Sequence, residues 1–156
     1  MQITFLSYFL AAIVSYLGLL VGVLLIKMAP EEQKPGRKYF VFLKAGFFFF
    51  IASLMLFYYW ANIIFSIALL AFLFILMINK KLNLEKSSLV YLFFGFIFYF
   101  SSKIFDLFII ESVLIFLYGI PNSSLIIKPG KINYHEIFVK NLWFFVPALI
   151  LYLIKF

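Results

Sequence analysis

Residues 39–79 read YFVFLKAGFFFFIASLMLFYYWANIIFSIALLAFLFILMIN and carry a single charge, Lys44. As one helix this stretch would be roughly 60 Å long at about 1.5 Å per residue. The hydrocarbon core of a bilayer is only about 30 Å thick. The stretch is therefore expected to fold back and cross twice. Its turn belongs at Tyr58, Tyr59, Trp60 and Asn62, because Tyr and Trp favour the headgroup level. A transmembrane helical hairpin with almost no loop is the core of the expected fold.

Composition supports lipid as the solvent. The chain is 67% hydrophobic and 12% charged, whereas a soluble domain is nearer half apolar. No polar segment is long enough to fold alone, so one transmembrane domain is expected over 1–156. Cysteine is absent, which removes disulfides and thiol chemistry. The net charge of +7 fits a positive-inside bias and attraction to anionic headgroups. Nucleic acid is not an expected partner, because the polar loops are too short to present a basic surface.

The other spans follow from the charge-free runs. Ile3 to Ile26 is uncharged and suffices for one span. It lacks the basic n-region of a signal peptide, so it reads as a retained helix. Ala11, Ser15, Gly18 and Gly22 share one face of it, and Gly18 to Gly22 is a GxxxG, which suits close helix packing. The same face could instead serve a dimer. Lys27 to Lys38 reads as a loop with Pro35-Gly36 in a type II turn. Residues 89–120 are too long for one comfortable span and carry Ser101, Ser102, Lys103 and Asp106 in the middle. They divide into two short spans, the alternative being one span followed by an interfacial or re-entrant helix. A polar loop follows over 121–136, and the last span carries Pro147 as a kink. The expected fold is thus all-α: a compact bundle of six transmembrane helices over about 3–26, 39–58, 61–79, 88–103, 105–120 and 137–154.

Charge sets the orientation. With six spans and both termini outside, Lys27, Lys34, Arg37, Lys38, Lys44, Lys80, Lys81, Lys86, Lys128, Lys131 and Lys140 lie on the cytoplasmic side. Only Lys103 and Lys155 lie outside, which is the bias a multi-pass protein of the cell membrane requires. Five spans would move the basic residues of the third loop to the wrong side. An internal repeat is also legible: 41–53 and 90–102 align at an offset of 49 and match Gly46 with Gly95. A duplicated helical hairpin would place both glycines at helix contacts.

Few residues carry chemistry. The lone histidine, His135, stands beside Glu136 without further ligand types at metal spacing, so no metal and no cofactor is expected. Serines of the spans have no histidine nearby to act as a base, so no catalytic residue is assigned. Glu111, in IIESVLIFL, is the sharper case. A carboxylate at membrane depth faces the bundle interior, pairs, or marks a proton or cation site. Asp106, Lys103, Ser102 and Asn62 are the expected companions of Glu111 in an intramembrane polar cluster. Bonding to Ser101, Ser102 or Lys103 would make Glu111 merely structural. The paired turns Lys34-Pro35-Gly36-Arg37 and Lys128-Pro129-Gly130-Lys131 offer Lys34, Arg37, Lys128 and Lys131 as a face for lipid phosphate or an acidic partner. In size alone the chain resembles the substrate-binding subunits of vitamin uptake transporters; no substrate motif accompanies that likeness.

Three functions fit these features, the third and least supported being a membrane enzyme acting on lipids. The first is a non-catalytic subunit or scaffold that packs against partner helices, a second copy or lipid. The second is a small transporter or channel that uses Glu111.

Overall fold

The computed structural model describes residues 3–59, 62–78, 88–127 and 133–154. These residues are helical, with no strand among them. The helices are α1 (Phe5–Met28), α2 (Gln33–Tyr58), α3 (Ile63–Ile78), α4 (Ser88–Ser101), α5 (Phe105–Ile126), α6 (Tyr134–Ile137) and α7 (Phe145–Ile154). A 3-10 turn, Pro30–Glu32, leads into α2, and another, Val139–Phe144, joins α6 to α7. Four stretches are long and apolar enough to cross a membrane: Phe5–Met28, Pro30–Tyr58, Phe105–Ile126 and Tyr134–Ile154. α3 and α4 are shorter apolar helices.

α5 is the hub, packed by α1, α2 and α4. Its pairing with α1 is parallel and close. Ser15 Oγ donates to the Ser112 carbonyl at 3.0 Å. A Cβ on Gly18 would stand 1.9 Å from the Phe116 carbonyl oxygen, and one on Gly119 would stand 2.7 Å from the Gly18 backbone. A Cβ on Gly22 would meet Ser123 Oγ at 2.0 Å. The GxxxG face is thus filled from within the chain. Backbone-to-backbone approach of this kind is how apolar helices gain contact in lipid, where apolar burial itself supplies little.

The remaining helices fix the ends of the bundle. Gln33 Nε2 donates to the carbonyls of Ser124 and Ile127 at 3.1 and 2.5 Å, so α2 starts where α5 finishes. Lys27 Nζ lies 5.4 Å over the Tyr134 ring, which brings the end of α1 and the start of α6 to that same end. At the opposite end Tyr59 donates to the Phe100 carbonyl, and Tyr152 donates to the Ile3 carbonyl. Ring contacts of Phe98 with Phe108 and of Tyr91 with Tyr118 set α4 antiparallel to α5. Both α2 and α4 therefore run opposite to α5. α3 follows α2 in the chain and packs against it.

Several boundaries differ from those the sequence suggests. Pro35-Gly36 is not a turn; both lie in α2. Pro35 stands in the first helical turn, where a missing N–H costs nothing. The polar loop at 121 is also corrected. α5 continues to Ile126 and buries Pro121, Asn122, Ser123 and Ser124. Ser123 and Ser124 donate to carbonyls one turn back, which lets hydroxyls lie inside an apolar bundle. The last span is not one kinked helix. It breaks at Phe138–Phe144, and Pro147 sits near the start of α7, below the break. Proline supplies no N–H to the Trp143 carbonyl, and Asn141 Nδ2 donates back to the Ile137 carbonyl at 2.6 Å. The division between α4 and α5 at 102–104 agrees with the sequence reading.

The repeat does not give equivalent packing. Gly95 faces the break: a Cβ there would lie 2.2 Å from the Phe144 carbonyl oxygen and 2.6 Å from the Pro147 ring. At Gly46 a Cβ would meet nothing within 4 Å. Gly46 is therefore no packing residue within this chain. α2 packs on α5, whereas α4 packs along 139–154.

Candidate functional site

Glu111 lies on α5, the most surrounded helix. Its side chain is 0% exposed, and neither carboxyl oxygen has a hydrogen-bond partner among the described residues. The cause is local. Positions 112, 116, 119 and 123 of α5 turn to α1, which places 111, 115, 118 and 122 on an adjoining buried face. Ile115, Tyr118 and Asn122 are buried with Glu111. An isolated carboxyl in an apolar interior costs several kcal/mol if charged, roughly 2–7 kcal/mol on apolar transfer scales even for a neutral polar group.

The expected companions of Glu111 do not converge on it. Asp106 is exposed in the first turn of α5. Lys103 is exposed, with Nζ 5.4 and 5.2 Å over the rings of Tyr99 and Phe100. Ser102 Oγ donates to the Tyr99 carbonyl and Ser101 Oγ to the Phe98 carbonyl. Asn62 is exposed, and its Oδ1 accepts from the Ile64 N–H at 2.9 Å, where it caps α3. These residues form the rim of one end of the bundle. Tyr59 belongs to that rim; burial, with Tyr99 adding, pushes its phenol above the ordinary value.

Lys34 and Arg37 are exposed on the first turns of α2, at the end that also holds Lys27 and Lys38. Lys128 and Lys131 lie outside the described residues. Among the described residues no group of acidic, histidine or cysteine side chains could hold a metal ion.

Sequence reasoning missed three buried polar side chains. Asn122 has both side-chain polar atoms without a partner, Asn141 has Oδ1 and Tyr91 has its hydroxyl. Asn122 was legible only through its spacing: it falls at i+11 from Glu111 and i+4 from Tyr118, the period of one helical face. The apparent loop composition of Pro-Asn-Ser-Ser concealed it.

The chain matches no protein-family model, no curated protein and no solved structure. Any reading of its function rests on geometry.

Proposed function

We propose that this protein is a non-catalytic membrane bundle whose α2–α3 face seats an uncharged transmembrane helix of a partner protein. The observation that carries this reading is α3. None of its described side chains is buried, and Ile63, Ile64, Phe65, Ile67 and Phe72 stand outward. α3 carries no charged residue over Ile63–Ile78, so it presents an uncharged apolar surface to lipid or to a neighbouring helix. Gly46 adds to this. It lies on the outward face of α2 in a shallow groove with Phe42, Leu43, Phe47 and Phe50, and a small residue among large ones admits a neighbouring helix. The six-span topology, with both termini outside and the Lys34–Arg37 end at the cytoplasmic headgroups, completes the reading.

The test is a photo-cross-linking residue placed at Phe42 or Phe50 in native membranes. A discrete protein adduct is expected there, lost in Gly46→Leu. The same probe at Leu10, on the outward face of α1, should give lipid adducts only. An adduct of twice the chain's mass would assign the face to a second copy. Lipid adducts alone at all three positions would remove the partner.

Glu111 favours a second reading, a small transporter or channel for protons, cations or a small solute. Its unpartnered carboxyl supports this, because an intramembrane ionisable residue without a structural partner is a functional site by default. Glu111→Gln keeps the shape and removes the charge. In reconstituted vesicles it should abolish proton- or cation-dependent flux. A wild-type protein that carries none over a broad ion panel leaves the first reading alone.

A further inference from the structure

The outward face of α2 joins a charged end to an apolar groove. Tyr39 and Gly46 stand seven residues apart, about two helical turns, so they share one line down the helix. Phe42 and Phe50 flank that line, one turn to either side of Gly46, and are 77% and 53% exposed. Phe48, Ile51 and Ala52 are buried on the side turned to α5 and α4. A Cβ on Gly46 would meet nothing within 4 Å, and Phe42, Leu43, Phe47 and Phe50 line the groove there. Lys38 stands roughly 12 Å from Gly46 along the axis, at about 1.5 Å per residue. Its Nζ lies 5.0 Å over the Tyr39 ring, which draws the ammonium onto the line of the groove.

That end of α2 is short of carboxylates. Lys27, Lys34, Arg37 and Lys38 are exposed there, and Glu31 and Glu32 offset only two of them, which leaves a formal charge of +2 (four cations less two carboxylates) over residues 27–38. Among the described residues the ion pair is Lys140 with Glu136, and Lys34, Arg37 and Lys38 pair with no carboxylate. Lys34 stands one turn before Lys38 on the same side of α2. A helix seated against Gly46 passes beside both lysines at the small crossing angles common in membranes. The ordinary cytoplasmic flank of a transmembrane helix carries Lys or Arg. Such a flank would be repelled here, and like charges set together reject a partner.

We infer that the helix seated on α2 carries an acidic residue at its cytoplasmic end, about two turns from the residue that meets Gly46, and that Lys38, with Lys34 behind it, pairs with that carboxylate. The pairing rests on the α2–α3 face serving as the seat of a partner helix, and it adds the chemistry by which the partner is chosen. Gly46 supplies close approach and admits many apolar helices alike. The cations choose among them and fix the register. A carboxylate at that level costs the partner little, because it stays at the headgroups rather than at the bilayer centre. The Tyr39 ring covers one side of the ammonium and limits its screening by salt. Anionic lipid reaches Lys27, Lys34 and Arg37 around the whole end of the bundle, whereas Lys38 is the cation held in line with the groove.

The test places a photoreactive residue at Phe42 of the full chain, one turn from Lys38, in native membranes, and identifies the adducts by mass spectrometry. The cross-linked helix should carry Asp or Glu within about one turn of the linked residue. Lys38→Glu should lower the adduct yield about threefold, the scale of a partly screened ion pair, and Lys38→Arg should keep it. Changing the partner's acid to lysine should restore the yield in Lys38→Glu, a rescue that a misfolded variant would not show. If no protein adduct forms without these substitutions, the seat for a partner helix fails and the acidic flank with it. An undiminished protein adduct in Lys38→Glu, or an adduct to a helix without an acid on that flank, would overturn the pairing and leave the seat standing. An adduct to a second copy of the chain would overturn it equally. A yield lost in Lys38→Glu and not restored by the exchanged charge would assign Lys38 to anionic lipid and overturn the pairing as well.

Discussion

A methyl group added at Gly18 would stand 1.9 Å from the Phe116 carbonyl oxygen, whereas one added at Gly46 would meet nothing. The two glycines therefore answer to different constraints. Gly18→Ala forces α1 away from α5 and should destabilise the bundle by about 1–3 kcal/mol, the usual range for overpacking. Gly46→Ala should leave the isolated protein as stable as before, or raise its stability by up to about 1 kcal/mol through helix propensity. Reversible unfolding in mixed detergent checks both. Equal effects at the two positions would contradict the packing described. Glu111 makes a residue-scale prediction of the opposite sign. A buried carboxyl without partners is costly, so Glu111→Leu should raise stability by roughly 1–3 kcal/mol. Destabilisation of that size by leucine would mean that the carboxyl holds the bundle together.

At the scale of elements, the last apolar stretch is the weakest part of the bundle. Its 3-10 turn at Val139–Phe144 has poorer hydrogen-bond geometry than an α-helix, and α6 is a single turn. Amides of 139–144 should exchange with solvent before those of Leu114–Tyr118 on α5, and hydrogen-exchange mass spectrometry in nanodiscs resolves the two segments. Protection at 139–144 equal to that of α5 would contradict a weak turn there. This break was not legible in the sequence. Pro147 announced an interruption, but proline disturbs the turn before it, and it is Asn141 and the close approach of Gly95 that shape the break. The split at 102–104 was legible, because Ser-Ser-Lys and Asp106 mark a rim that apolar packing cannot use. α5 misled for the converse reason. Pro-Asn-Ser-Ser has the composition of a loop, yet serine hydroxyls bonded one turn back and α1 glycines pressed against the helix keep it inside. The site divides in the same way. Glu111 stood out as a lone carboxylate in an apolar run. Asn122, Asn141 and Tyr91 did not, because only the tertiary fold buries them.

For the whole molecule, contact geometry and charge bear on one topology. α2 and α4 both run against α5. Ile3, Tyr59, Phe100 and Tyr152 gather at one end, and Lys27, Gln33, Ile127 and Tyr134 at the other. The second end carries Lys27, Lys34, Arg37 and Lys38, and the proposed orientation sets it at the cytoplasmic headgroups, in line with the positive-inside bias. Cysteine labelling in intact cells with an impermeant reagent tests this most directly. Single cysteines at Glu31 and Asn133 should react only after the membrane is opened, and one at Ser102 should react in intact cells. Labelling of Asn133→Cys from outside would contradict the six-span account.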